Sequence, residues 1–439
     1  MTRSPALVLV FAATLTCLSA SAGEWPQFRG PNSNNLPDDA NLPTVWTPEQ
    51  NVAWKVPISG HGWSSPILWG DRVFVTTAVE EEAPKLSKRN RLLGGIYRWE
   101  VHCFDLASGK QLWKKVATRG EPQISTHQGN GYASETPVTD GELVYAYFGM
   151  TGLFAYDMNG NLAWKKDLGS FQMQRDWGTG SSPLIYGGKL YLQIDSDEDS
   201  FLVALNPKNG EEIWRFERDE ASNWITPMIW KNKERIELVT NGRTARSYDP
   251  ESGKLLWSLK VGGRCSASPT GDEDYLYIGS EKRSDGGALF AIKAGASGDI
   301  TPAEGEEKSA GVAWSNPKAG PPMASPFLYK GVIYVVARHG GIVTSYDAKT
   351  GEEIYKQRLP EATTLLATPW AYDDRVFCLD KGGTVHALKP GREFEILGAN
   401  SLEGEFWASP AMAHGAVIFR SMKHLYCIRQ SAASGGTGR

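Results

Sequence analysis

The sequence is dominated by a Ser-Pro or Thr-Pro pair that recurs eight times at a nearly constant interval. Five of the seven intervals are 41 to 46 residues long, and the other two, of 71 and 57 residues, contain insertions. Each pair opens a unit of alternating apolar runs separated by Gly, Asn or Asp, which predicts four short antiparallel strands. Such a period is typical of propeller blades, so we predict an all-β, eight-bladed β-propeller of four-stranded antiparallel blades. The prolines of the pairs are Pro66, Pro137, Pro183, Pro227, Pro269, Pro326, Pro369 and Pro410.

The two ends of the repeat predict how the ring of blades closes. The last unit, residues 405–429, supplies three strands and lacks a fourth. Residues 51–58, which contain Trp54, match the outermost strand of a blade but precede the first Ser-Pro pair. We therefore expect this N-terminal strand to complete the last blade and close the ring. One propeller domain would then span residues 51–429 and leave no exposed sheet edge at the seam.

A second repeated pattern lies between the third and fourth strands of most units. It reads Asp-x-x-x-Gly-x-x-x-aromatic, as from Asp105 through Gly109 to Trp113. The Asp side chain can cap the turn, and Gly can adopt the positive φ that the reversal needs. The aromatic residue is expected to pack sideways between neighbouring blades. The tryptophans at this position are Trp54, Trp113, Trp164, Trp214, Trp257 and Trp314.

This Ala-x-Asp-x-x-Thr/Ser-Gly-x-x-x-Trp unit resembles the tryptophan-docking repeat of pyrroloquinoline-quinone (PQQ)-type propellers. That group includes the quinoprotein alcohol dehydrogenase-like superfamily and the non-enzymatic propeller subunit of the outer-membrane β-barrel assembly machinery. With W-P-Q-F-R-G-P-N near its start and Y-A-S-E-T-P-V in the second unit, the chain looks most like bacterial exported PQQ-like repeat proteins. The resemblance implies a fold over about residues 51–429, whereas a fold of this kind hosts unrelated functions.

The resemblance implies a cofactor site for only one of these functions. Quinoprotein dehydrogenases clamp the quinone with a disulfide between adjacent cysteines and a stacked Trp, and they bind calcium through Glu, Asn and a catalytic Asp. This chain has no adjacent cysteines, and Cys103 and Cys427 occupy a position that Ala or Ser fills in other units. We interpret these two cysteines as small core residues. We therefore expect no cofactor, with PQQ and calcium as the alternative.

The termini indicate export. Residues 1–22 match a signal peptide with a short apolar stretch before an A-S-A cleavage site, too short to span a bilayer. Cys17 suggests a lipid anchor, but the threonine before it does not fit a lipobox, so we favour soluble export to the periplasm or cell envelope. Residues 23–50, rich in Pro and Asn, predict an extended arm over the propeller. Residues 430–439 predict a disordered tail.

The candidate ligand-binding residues lie just before the Ser/Thr-Pro pairs. The first strand of each propeller blade lines the central channel, so these positions converge near one mouth and predict an aromatic-walled funnel. The alternative is that the same side chains merely plug the channel. The candidate residues are His61, Trp63, Tyr132, Glu135, Arg175, Asp176, Trp177, Trp224, Arg264, Phe406 and Trp407.

Glu135 is the candidate with the most unusual position. It occupies a position that small or apolar residues fill in the other units. A carboxylate there is unfavourable unless it is hydrated or paired, and we expect Arg264 or Arg175 to pair with it. Asp195 begins a half calcium loop that lacks the later ligands of an EF-hand, which favours a solvated hairpin turn.

The two long intervals contain insertions with different compositions. Residues 80–98 pass from acidic to basic and predict a hairpin extension or short helix, with a partner-docking arm as the alternative. Residues 293–311 have loop composition, and the polar loop with His127 is interpreted as structural.

The sequence as a whole favours a non-catalytic role. A net charge of −4 gives no electrostatic case for nucleic acid or an anionic membrane, and no transmembrane segment is visible. We expect a monomeric scaffold or binding protein that engages a protein, peptide or glycan of the cell envelope. The alternative is a PQQ- and calcium-dependent dehydrogenase of an alcohol or sugar.

Overall fold

The computed structural model describes residues 23–39, 41–281 and 287–430. The predicted signal peptide at 1–22 and all but the first residue of the predicted tail lie outside these ranges. The described residues form eight antiparallel sheets of four strands, one of which gains a fifth strand, and one small three-stranded sheet. Their only helices are single 3₁₀ turns at Gly149–Thr151 and Gln174–Asp176. The prediction of an all-β propeller is confirmed.

The first four blades follow the order of the chain. Blade 1 has strands Ile67–Trp69, Arg72–Glu82, Ile96–Asp105 and Gln111–Gly120. Blade 2 has Val138–Thr139, Leu143–Tyr147, Leu153–Asp157 and Leu162–Lys166. Blade 3 has Leu184–Tyr186, Lys189–Asp195, Ser200–Leu205 and Glu212–Glu217. Blade 4 has Met228–Lys231, Ile236–Thr240, Thr244–Tyr248 and Leu255–Lys260.

The remaining blades keep the same order, except that the last takes a strand from the N-terminus. Blade 5 has strands Thr270–Gly271, Tyr275–Gly279, Gly287–Lys293 and Val312–Gly320. Blade 6 has Phe327–Tyr329, Val332–Val336, Ile342–Asp347 and Glu353–Arg358. Blade 7 has Trp370–Tyr372, Arg375–Leu379, Thr384–Leu388 and Ile396–Ser401. Blade 8 has Ala411–Ala413, Ala416–Arg420, His424–Arg429 and Val52–Pro57.

The N-terminal strand Val52–Pro57 forms the outer strand of blade 8. It pairs antiparallel with His424–Arg429 and sets Trp54 opposite Cys427. Arg420 crosses the same seam, because its guanidinium donates to the backbone oxygen of Ser64 in blade 1 at 2.9 Å. The first and last blades are therefore joined by both main-chain and side-chain hydrogen bonds.

The outer-strand tryptophans dock on the glycine of the next blade. Trp314 of blade 5 donates from its indole Nε1 to the backbone oxygen of Ala348 in blade 6 at 3.1 Å. A Cβ atom built on Gly351 would lie 2.5 Å from the same indole, so this glycine also makes room for the ring. Trp257 differs only in its hydrogen bond: its indole donates to Glu237 within its own blade, but the ring still packs in a core cluster with residues of blade 5.

Both insertions add strands. In the first, Lys85–Leu86 and Arg91–Leu93 form a hairpin that pairs with Thr126–His127, so the short-helix alternative is wrong. In the second, Gly298–Asp299 pairs in parallel with the outer strand of blade 4. This fifth strand covers Trp257, which is fully buried. The prediction of a plain loop for residues 293–311 therefore missed a strand.

The N-terminal segment contacts at least six blades with its backbone and side chains. Trp46, fully buried, packs its ring 5.6 Å from that of Phe419 in blade 8. The other contacts are Trp25 with Leu68, Pro26 with Thr139, Gln27 with Ile185, Arg29 with Pro269, and Asn35 with Thr368 and Pro369. The segment thus binds the blades at residues close to the Ser/Thr-Pro pairs.

Candidate ligand-binding funnel

The Ser/Thr-Pro pairs form the wall of the central channel. For six pairs of blades, the backbone N–H of the Ser or Thr in one blade donates to the side-chain hydroxyl of its counterpart in the next, at 2.9–3.0 Å. The proline that follows has no N–H that needs a partner. The repeated pair is therefore explained by contacts between blades. We call the eight side chains the hydroxyl ring: Ser65, Thr136, Ser182, Thr226, Ser268, Ser325, Thr368 and Ser409.

A cavity of about 350 Å³, which we call the funnel, lies among the residues that precede the hydroxyl ring. Five of the eleven candidate residues line it. They are Trp63, Trp177, Trp224, Arg264 and Trp407. Four of the five are indoles, contributed by blades 1, 3, 4 and 8, so the wall is largely aromatic.

One side of the funnel is a stacked indole pair. The rings of Trp63 and Trp407 lie 4.6 Å apart and are inclined by 14°. The indole N–H of Trp63 donates to the backbone oxygen of Gly129 at 3.0 Å, and that of Trp407 donates to the Glu405 carboxylate at 3.1 Å. Because both polar atoms are satisfied by the protein, the rings offer mainly their faces and edges to a ligand.

A second aromatic group comes from blades 3 and 4. The rings of Trp177 and Trp224 lie 5.7 Å apart, and the indole N–H of Trp224 donates to the backbone oxygen of Gly178 at 2.7 Å. The Arg264 guanidinium lies 4.7 Å from the Trp177 ring centre, within cation–π range. Arg264 also forms an ion pair with Glu281 at 3.4 Å, so this wall combines aromatic and charged groups.

Three other candidates lie behind the wall and do not line the funnel. His61 sits edge-on to Trp63 at 5.1 Å, and burial together with the Arg420 charge lowers its pKa below the usual range. Tyr132 packs 4.8 Å from Tyr97, and burial raises its pKa to about 12. Phe406 is fully buried. Of the three, only His61 supports a lining indole from behind, because the ring contacts of Tyr132 and Phe406 are with residues that do not line the funnel.

Arg175 and Asp176 belong to a loop outside the funnel. Both have positive φ, 53° and 56°, in the single-turn helix before blade 3. Arg175 is exposed, and the Asp176 carboxylate lies 4.0 Å from the Arg91 guanidinium. The structure brings neither side chain to the funnel wall.

Glu135 is buried between blades and has no cationic partner in the described chain. Its side chain is 1% exposed, and Oε1 has no hydrogen-bond partner there. Burial raises its pKa to about 7, although a hydrogen bond with the Thr179 hydroxyl opposes this shift. The expected pairing is wrong, because Arg264 pairs with Glu281 and Arg175 faces solvent.

Several lining residues were not among the candidates. His127 and Asn130 reach the funnel from the loop before blade 2, and Arg338 from the loop after the second strand of blade 6. The His127 Nδ1 accepts a hydrogen bond from the Gly129 N–H at 3.0 Å. His127 is held in place by its strand pairing with the first insertion, a contact between distant segments that no local pattern signals. Met323 also lines the funnel; it holds a position before its Ser-Pro pair that alignment of the repeats identifies.

The residues present do not fit a calcium-bound quinone. In the described ranges, no group of three or more His, Cys, Asp or Glu side chains could hold a metal ion. The four described cysteines, including Cys103 and Cys265, are buried and unpaired. The carboxylates nearest the funnel wall, Glu281 and Glu405, are each engaged by a basic side chain. No disulfide clamp or calcium ligand set is therefore available from these residues.

No helix long and apolar enough to cross a bilayer is found in the part of the chain that the structure describes.

Sequence comparisons match this chain to proteins of one family. The family model described as outer membrane protein assembly factor BamB matches residues 97–228, 198–325 and 241–435. The BamB of Moranella endobia is 22% identical over 257 residues, covering 52% of this chain and 62% of that protein. The match thus spans less than two thirds of that relative. The BamB of Nitrosomonas eutropha is 30% identical over 112 residues, covering 26% and 25% of the two chains.

Solved structures show the same fold at low sequence identity. The crystal structure of BamB from Moraxella catarrhalis has a TM-score of 0.56 at 13% identity, covering 86% of this chain and 99% of that one. The quinohemoprotein alcohol dehydrogenase from Comamonas testosteroni has a TM-score of 0.58 at 13% identity, covering 96% and 83%. These similarities establish the propeller and leave the chemistry of the funnel to its own residues.

Proposed function

This chain belongs to the family described as outer membrane protein assembly factor BamB, and on that premise we propose that it is an exported, non-catalytic binding protein of the periplasm or cell envelope. Its partner is an extended polypeptide segment of another envelope protein, held in the funnel and by the loops around it. The named relatives support a protein partner, because they are assembly factors for outer membrane proteins.

The observation that carries the proposal is the aromatic wall. Four indoles surround one cavity, and three of them, Trp63, Trp224 and Trp407, already use their N–H groups within the protein. Fixed aromatic faces bind extended or proline-containing segments with little loss of side-chain freedom. Polar groups at the rim, such as Asn130 and Arg338, can then fix the orientation of the bound chain.

Affinity capture from a cell-envelope extract tests this function. We expect the wild-type protein to retain a partner at fixed stoichiometry, and the double variant Trp177→Ala/Trp224→Ala to lose it. Leu162→Ala is the control, because Leu162 is exposed on an outer strand and far from the channel. The melting temperatures of all three proteins must agree within a few degrees for the comparison to hold.

The same experiment separates the other candidate partners. A glycan partner would survive protease treatment of the extract and disappear after glycosidase treatment, and this result would overturn the polypeptide proposal. Incubation with PQQ and Ca²⁺ followed by a dye-linked alcohol oxidation assay tests the catalytic alternative. Turnover that depends on the quinone would contradict a non-catalytic role.

A further inference from the structure

The funnel continues along the channel into a second cavity of about 150 Å³, which we call the axial chamber. The two cavities share lining residues, including Trp63, Trp224 and Met323, so a ligand in the funnel borders the chamber directly. All eight side chains of the hydroxyl ring line the chamber, as does Phe28 of the N-terminal segment. No charged side chain is among the described residues that line it.

The hydroxyl ring presents hydrogen-bond donors that the protein does not use. The eight residues are 2–6% exposed, and six of their hydroxyl oxygens accept a backbone N–H from the neighbouring blade. None of the eight O–H groups donates to an acceptor within the described chain. Because these O–H groups face the chamber, each needs an acceptor from whatever fills it, since a polar group that is removed from water and left unpaired forfeits a hydrogen bond.

Two buried guanidinium groups bond to backbone oxygens next to ring residues without lining the chamber, and neither has a carboxylate partner in the described part of the chain. Arg29 donates from Nη1 to the backbone oxygen of Pro269 at 2.7 Å, and Arg420 donates to that of Ser64 at 2.9 Å. Both acceptors are sequence neighbours of ring residues. Each arginine is 1% exposed, with Nε and Nη2 unpartnered in the described chain. Burial lowers the pKa of both to about 9, so both remain cationic at neutral pH.

The surroundings of the chamber therefore favour an acceptor of hydrogen bonds with negative charge. Water can also fill the chamber, because a hydroxyl oxygen that accepts one amide N–H keeps a second lone pair, so water is the competing occupant that the bromide experiment must distinguish. The nearest carboxyl group in sequence is Glu135, which lies between two lining residues but does not line the chamber itself. Converging donors with uncompensated cations nearby are the usual composition of an anion site.

We infer that the axial chamber binds an anionic oxygen group, a carboxylate or phosphate, at the end of the ligand that enters through the funnel. This inference rests on the proposed function for the ligand itself, but the anion site is a property of the hydroxyl ring and the two nearby arginines, whatever the ligand. A free inorganic anion and the anionic end of a larger ligand share the chemistry, and the two are distinguished by separate experiments.

Bromide soaking of wild-type crystals tests the anion site without any mutation. We expect an anomalous difference peak in the axial chamber, within hydrogen-bond distance of at least three ring hydroxyls. Density for water alone, with bromide confined to the protein surface, would overturn the inference. An inorganic phosphate titration followed by indole fluorescence then asks whether a free anion binds in solution.

The second experiment compares phenylacetate with its neutral analogue 2-phenylethanol. We expect phenylacetate to bind more tightly by about tenfold or more, since hydrogen bonds to a charged group are the stronger ones. The Ser182→Ala/Ser325→Ala variant should lose that preference, whereas Ser345→Ala should keep it. Ser345 is the matched control, because it is a fully buried serine on the third strand of blade 6, outside the ring.

The outcomes separate this inference from the proposed function. Equal affinity for the two probes in the wild-type protein contradicts the anion site, whatever the partner proves to be. Bromide and phenylacetate binding without any captured polypeptide would support the anion site and contradict the proposed function. If the double variant fails to fold, the wild-type probe comparison and the bromide experiment still decide the question.

Discussion

The perimeter and the axis of this propeller differ in how closely the blades resemble one another. At the perimeter, five blades repeat one contact: an indole donates to a carbonyl oxygen of the next blade, as Trp314 does to Ala348. At the axis, the hydroxyl ring is equally regular, but the residues that precede it differ from blade to blade, from Trp63 to Met323. Regular positions thus maintain the fold, and the variable positions next to them line the funnel that we propose as the binding surface.

The largest effect on stability is expected at the perimeter. Trp314 is 4% exposed and fills the space between blades 5 and 6. Replacing it with Ala leaves a cavity there, and we expect Trp314→Ala to lower the free energy of unfolding by about 3–5 kcal/mol. Denaturant unfolding measures the loss against Leu162→Ala, an exposed control. A loss below about 1 kcal/mol would contradict a structural role for the perimeter.

The region between the perimeter and the axis contains Glu135, and the variant Glu135→Gln tests how this carboxyl group makes the free energy of unfolding depend on pH. The pKa of Glu135 is raised from 4.5 to about 7 in the folded protein. Between these values the folded protein keeps a proton that the unfolded chain releases, so this carboxyl group lowers stability as the pH rises. We expect the free energy of unfolding of wild type relative to Glu135→Gln to fall by about 3 kcal/mol from pH 4.5 to 7.5. A difference that does not change with pH would show that the carboxyl is solvated.

A comparison of two glycines separates the contact between glycine and indole from the effect of backbone conformation. Gly351 and Gly331 have nearly the same φ, +76° and +75°, but a Cβ at Gly351 would meet Trp314 at 2.5 Å, whereas Gly331 has nothing within 4 Å. We expect Gly331→Ala to cost about 1 kcal/mol for the left-handed backbone, and Gly351→Ala about 1 kcal/mol more. Equal losses in thermal or denaturant unfolding would show that the indole tolerates the extra methyl group.

Trp407→Ala is expected to have the smallest effect on stability and a clear effect on binding. Trp407 is half-buried and stacks on Trp63 at 4.6 Å, which is worth about 1 kcal/mol. We expect the affinity for the captured partner to fall about tenfold, as for an aromatic residue central to an interface. Unchanged binding of the partner by this variant would mean that the side chains around the funnel only plug the channel.

The regular half of the molecule could be predicted from sequence. The Ser/Thr-Pro interval and the Asp-x-x-x-Gly-x-x-x-Trp pattern recur, so each copy supports the interpretation of the others. The sequence pattern predicted that the glycine allows a positive φ in the turn, but not that it also makes room for an indole. Gly351 does so for the indole of Trp314 in the preceding blade. That contact joins residues of two blades and leaves no separate mark in the local pattern.

The candidate site was predicted only in part, because side-chain direction and loop contacts decide it. Ser134 and Thr136 both line the chamber, whereas Glu135 between them does not. These residues precede the first strand of blade 2, so the alternation rule for strands does not apply to them and the sequence could not fix the direction of Glu135. His127 could not be predicted in the same way, because its position depends on pairing with the hairpin at Arg91–Leu93.

Site-specific photo-crosslinking tests the central claim most directly. A photoreactive amino acid at Met323, which lines the funnel, and another at Leu397, which is exposed on the outer strand of blade 7, report on the axis and the perimeter in one experiment. We predict that a polypeptide of the cell envelope crosslinks from position 323 and not from position 397. Crosslinks from position 397 alone, or none from position 323 in a folded protein, would contradict binding at the funnel.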